Sequence, residues 1–137
     1  ARLDAIADRH GVLIVNSAGN LKPADARVSW QRRPVDVLAY FAARTDPDTI
    51  CQPTESVRAL SVGALNPAGT AQIALAPARY SRRGPGLQVG IKPDLVTFGG
   101  AGPMNATEIT GLVSTMPDGS PAHVSGTSMQ PRSSVAR

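Results

Sequence analysis

The sequence predicts an α/β fold, a parallel sheet flanked by helices, and three features of its apolar patterning point there. Leu3, Ile6, Ala7 and His10 recur at helical spacing and stop at Gly11. The next run, Val12 to Val15, is apolar without alternation and rich in β-branched residues, so it reads as a short strand covered on both faces, the habit of parallel sheets. Strand-like composition returns at Val57 to Leu65 and again, as a short buried segment, at Leu95-Val96.

Between these strands the chain is rich in turn residues, with 13 glycines and 12 prolines among its 137 residues. After Val15 the side chains shrink through Asn16-Ser17-Ala18-Gly19-Asn20, a strand end opening into a tight loop of the kind ligands approach in α/β sheets. The Asn20 amide is able either to donate to developing negative charge or to close the strand as an Asx turn. Residues 21 to 56 read as a polar insertion carrying one short helix, which starts at Pro34, faces inward through Val37, Leu38 and Phe41, and ends at Asp46-Pro47-Asp48. Trp30, Tyr40 and Phe41 are expected to pack this insertion on the domain. Asn66-Pro67 and Gly69 mark a turn before a short extended piece at Ile73 and Leu75, and residues 80–85 form a loop. Lys92 and Asp94 are expected to form an exposed pair of little weight. From Gly102 to Pro121 no period is sustained, and loops are expected.

Composition removes several functions. The formal charge is +4, but Arg32-Arg33 and Arg82-Arg83 are isolated pairs without a stripe of interleaved aromatics, which argues against nucleic acid as a partner. No apolar run reaches the length of a membrane span. Cys51 is the single cysteine, so no internal disulfide or cysteine-based zinc site is available, and a reducing, cytoplasmic compartment fits.

The order of the small-residue segments is more informative than any one of them. Val-Asn-Ser-Ala-Gly-Asn (15–20), Ser-Arg-Arg-Gly-Pro (81–85), Lys-Pro-Asp-Leu-Val (92–96) and Ser-Gly-Thr-Ser-Met (125–129) occur in that sequence. Together they resemble the C-terminal part of the catalytic domain of subtilisin-like serine peptidases. The resemblance implies that residues 1–137 are the C-terminal portion of such a domain, with 21–56 inserted, and that the fold is a partial subtilisin-like one. It implies Ser128 as nucleophile and Asn20 as side-chain donor of the oxyanion hole, in a reaction that hydrolyses peptide bonds through an acyl-enzyme.

A serine hydroxyl needs a general base, and the family's aspartate and histidine motifs do not occur in these residues. The two histidines present, His10 and His123, lack the family's histidine motif and are expected to be structural or surface residues, as are Asp94 and Asp118. The resemblance therefore implies a polypeptide substrate for the complete enzyme and an isolated chain without activity. A noncatalytic peptide-binding or fragment-complementation module is the alternative. An open sheet edge is expected to be covered by an N-terminal fragment or, in a homo-oligomer, by a second copy. Acyl transfer of this kind needs no cofactor, and no compact acidic loop specifies the calcium that family members often use. After Ser128 the chain departs from the family pattern: Met129-Gln130-Pro131 brings the proline one residue early, and Gln130 stands where a small residue is expected.

Overall fold

The computed structural model describes residues 2–22, 33–43, 48–70, 72–85, 90–101 and 111–129. Helix α1 (Arg2–His10) leads through Gly11, at φ 60°, toward strand β1 (Ile14–Ser17). Helix α2 (Pro34–Ala43) follows, then β2 (Ala59–Leu65) and β3 (Leu95–Phe98). A hairpin, β4 (Leu112–Thr115) and β5 (Pro121–Val124), precedes a single 3₁₀ turn at Thr127–Met129.

The sheet is parallel, ordered β1-β2-β3, with Ile14 beside Ala59 and Val62 beside Leu95. The central strand β2 carries the core: Ala59, Ser61, Val62, Gly63 and Ala64 are all buried. Small residues at these positions let neighbouring loops approach the sheet closely. A Cβ placed on Gly63 would lie 2.7 Å from the Pro93 ring. On one side α1 is tied down by Asp4, whose carboxylate accepts from the Ser56 hydroxyl at 2.6 Å and the Arg58 N–H at 2.8 Å. On α2, Val37, Tyr40 and Phe41 pack against Ile73 and Ala76. Tyr40 and Phe41 thus help pack α2 against the 73–76 segment, while Trp30 lies outside the described residues.

Several expectations require correction. The first strand begins two residues later than the apolar run, and Val12 and Leu13 are 47% and 69% exposed. On β3, Leu95, Val96 and Phe98 are 46–53% exposed rather than buried, because among the described residues no element covers the outer side of this edge strand. Leu38 points outward from α2, at 71% exposure. Ile73 and Leu75 belong to turns, with Leu75 at a φ of 63° and its N–H donating to the Asn66 carbonyl. The region from Gly102 to Pro121, where loops are expected, contains β4 and the start of β5, a hairpin whose alternating exposure marks a sheet with one open face. Asp118 sits in its turn, accepting from the Ser120 N–H and hydroxyl at 2.9 and 2.7 Å, which gives it the structural role expected.

Lys92 and Asp94 also form more than an exposed pair. Their side chains are 8% and 29% exposed and meet at 2.6 Å. The Lys92 ammonium donates to the Ala59 carbonyl, while Asp94 accepts from the Ser61 N–H and hydroxyl, so the pair locks the start of β3 to β2. Burial pushes the Asp94 carboxyl up, but the hydrogen bonds from Lys92 and Ser61 outweigh it and hold the group below its ordinary value.

Candidate active site

The site forms at the carboxyl ends of the parallel strands, where loops leave the sheet and backbone groups face an open edge. Beyond β1 the ladder runs on through the Ala18 N–H, which donates to the Val62 carbonyl at 2.8 Å. Gly19 then turns the chain with φ 91°, a conformation that favours glycine. Residues 19–21 lie antiparallel to 80–82: the Arg82 N–H donates to the Gly19 carbonyl at 3.0 Å and the Leu21 N–H to the Tyr80 carbonyl at 2.7 Å. Asn20 is therefore held from both sides by backbone bonds.

The turn carrying Ser128 reaches the same edge by two ties. The Gly126 N–H donates to the Gly99 carbonyl just past β3, at 3.0 Å. Thr127, fully buried, accepts from the Gly19 N–H at 3.1 Å through its hydroxyl and donates that hydroxyl to Asn20 Oδ1 at 2.9 Å. The Thr127 N–H donates to the same oxygen at 3.0 Å.

These two donors decide which way the Asn20 amide points. A backbone N–H can only donate, so the atom facing it must be the carbonyl oxygen, and Nδ2 is turned to the other side. There it meets Gly126. A Cβ placed on Gly126 would lie 3.3 Å from Asn20 Nδ2 and 3.7 Å from Ser128 Oγ. The missing side chain of Gly126 thus leaves a gap flanked by an amide donor and a hydroxyl, while Ser128 itself is exposed.

Tyr80 supports this edge from beneath. Its hydroxyl donates to the Gly99 and Gly100 carbonyls, and burial pushes its pKa well above the ordinary value, so it remains a protonated donor. Sequence reasoning assigns no task to Tyr80 or to Thr127, although Thr127 lies within the Ser-Gly-Thr-Ser-Met motif. Only its position relative to Asn20, 107 residues away in the chain, reveals one.

The other candidates are elsewhere. His10 ends α1, and His123 is exposed on β5 opposite Val113, a strand position rather than the loop expected. Among the described residues no hydrogen bond joins either histidine to Ser128. Asp94 is committed to the β2–β3 clamp. Among the described residues no group of three or more histidine, cysteine, aspartate or glutamate side chains converges that could hold a metal ion. No described helix is long and apolar enough to cross a membrane. Gln130 and Pro131, which carry the departure in spacing, lie outside the described residues.

Comparison with known families decides the assignment, since the subtilase family profile matches residues 1–130. The chain belongs to the subtilase family. It is thus assigned to a family of serine peptidases, hydrolases that act on polypeptides, and the parallel three-stranded sheet with helices agrees with a partial subtilisin-like fold. No curated protein and no solved structure matched the chain.

Proposed function

We propose that this subtilase chain supplies the nucleophile and oxyanion-binding half of a serine endopeptidase centre, as the C-terminal portion of the catalytic domain with residues 21–56 inserted. Ser128 Oγ attacks the carbonyl carbon of a peptide bond, and its proton passes to a histidine base contributed by an upstream segment. The carbonyl oxygen gains charge and is met by Asn20 Nδ2 and the Ser128 N–H. Collapse expels the amine, protonated by that histidine, and water then hydrolyses the acyl-Ser128 ester. One observation carries this reading: the Asn20 amide is oriented by Thr127 so that its donor end flanks the gap at Gly126 beside the Ser128 hydroxyl.

By itself the chain is expected to turn over no peptide, because neither histidine engages Ser128. The test is cleavage of unfolded polypeptides, and fluorophosphonate labelling, by the chain alone and by the complete protein that carries the upstream motifs. Turnover and labelling by the complete protein, both abolished in Ser128→Ala, are expected. Turnover by the isolated chain, or labelling that persists in Ser128→Ala, refutes the assignment.

A fragment-complementation module is the second reading, and the free edge of β1 favours it. Among the described residues β1 pairs with β2 alone, and the exposed Val12 and Leu13 lead into it. Association of the isolated chain with the upstream segment, followed by recovered cleavage, is the outcome this reading requires.

A further inference from the structure

We propose that Arg82 is a positioning residue for the oxyanion donor: its guanidinium bridges the Asn20 carbonyl and the 48–50 segment, fixing the backbone from which the Asn20 amide projects. This rests on the assignment of Asn20 as that donor. Arg82 Nε donates to the Asn20 carbonyl at 3.3 Å and Nη1 to the Thr49 carbonyl at 2.8 Å, while its own N–H donates to the Gly19 carbonyl at 3.0 Å. A single residue thus holds both peptide units flanking the Asn20 Cα and ties them to a segment that no strand of the sheet contains. The planar fork of a guanidinium suits this task, because it spans two carbonyls from separate segments in fixed geometry.

The packing is close on the Gly19 side as well. A Cβ built on Gly19 would lie 3.1 Å from Arg82 Cδ, so the glycine that makes the turn also makes room for the arginine stem. The 48–50 segment is itself anchored. The Ile50 N–H donates to the Arg83 carbonyl at 2.8 Å, and the Arg83 N–H to the Asp48 carbonyl at 2.9 Å. Thr54 adds a hydroxyl bond to the Ser17 carbonyl at 2.8 Å, at the last paired position of β1 on the way to Asn20. Arg82 therefore connects Asn20 to a braced support, while Thr127 aims the amide from the opposite side.

Positioning and general stabilisation differ in what they predict. If Arg82 acts through Asn20, its removal matters only while the Asn20 amide is present, and the two substitutions are non-additive. The experiment measures kcat and KM of the complete protein as wild type, Arg82→Ala, Arg82→Lys, Asn20→Ala and Asn20→Ala/Arg82→Ala. Arg82→Ala is expected to lower kcat by about ten- to a hundredfold, the scale of a misplaced catalytic group, with KM within about twofold. Arg82→Lys, which keeps one of the two bonds, falls between. In the Asn20→Ala background the arginine substitution changes kcat by less than about twofold, and millimolar ethylguanidinium restores rate to Arg82→Ala but not to the double variant.

An equal loss in both backgrounds, or an unchanged kcat in Arg82→Ala, overturns the proposal. A wild-type protein that neither cleaves nor labels would instead refute the Ser128 and Asn20 assignment. The Arg82 bridge is then read from the side-chain amide NMR signals of Asn20 in this chain. Displaced signals in Arg82→Ala, partly restored in Arg82→Lys, support it, and unchanged signals overturn it.

Discussion

Replacing Thr127 by valine isolates the device that orients the Asn20 amide. The exchange keeps the branched shape of a side chain with 0% exposure and substitutes a methyl for one hydroxyl. Two bonds disappear: the 2.9 Å donation to Asn20 Oδ1 and the 3.1 Å acceptance from the Gly19 N–H. Asn20 Oδ1 keeps its bond from the Thr127 N–H, so that loss is about 1 kcal/mol, but the Gly19 N–H is left without this acceptor in a partly buried position, at a cost of about 1–3 kcal/mol. The expected destabilisation is about 2–4 kcal/mol, read as a lower urea midpoint at unchanged slope. Thr127→Ser keeps the hydroxyl and loses one methyl, for about 1 kcal/mol. A Thr127→Val cost below about 0.5 kcal/mol, or one no larger than that of Thr127→Ser, refutes the claim that the hydroxyl holds this turn together.

Arg83→Met should destabilise by about 3–5 kcal/mol in urea titrations. It strips the fully buried Asp48 of a partner whose Nε lies 3.4 Å away, and adding Asp48→Asn should recover part of the loss. Asp94 adds a pH dependence of known sign. Its folded pKa lies below the unfolded value, so its contribution is complete above the ordinary carboxylate range and is lost as pH falls through the depressed folded value. The acid limb of stability against pH should therefore be shallower in Asp94→Asn, and an unchanged limb contradicts the clamp. Gly63→Ala drives a methyl to 2.7 Å from the Pro93 ring and should cost about 1–3 kcal/mol, measured by thermal unfolding.

Patterning along the chain revealed the elements whose signals are local. The helical repeat of Leu3, Ile6 and Ala7 and the apolar stretch ending at Leu65 correspond to α1 and β2, and Pro34 opens α2. Edges were harder, because an apolar run says that a segment prefers burial and not whether a neighbour is there to bury it. Val12, Leu13 and β3 show this: their composition resembles that of β2, and among the described residues only β2 has strands on both sides. The β4–β5 hairpin escaped because four-residue strands around Met116–Ser120 carry too few alternations to stand out from turn residues.

For the site, the sequence by itself determined the family's ordered motifs, and with them the proposal of Asn20 and Ser128 as the chemistry-bearing residues, since a motif records residue type and spacing within one loop. The tertiary structure alone decided the rest: that Asn20 Oδ1 faces Thr127 and its Nδ2 faces Gly126, that Arg82 braces the Asn20 backbone, and that Tyr80 holds the carbonyls beneath the Ser128 turn. The physical reason is separation. Each of these relations joins residues between 19 and 107 positions apart, and a hydrogen bond of about 3 Å between such residues is fixed by how the strand ends converge, which no local spacing encodes.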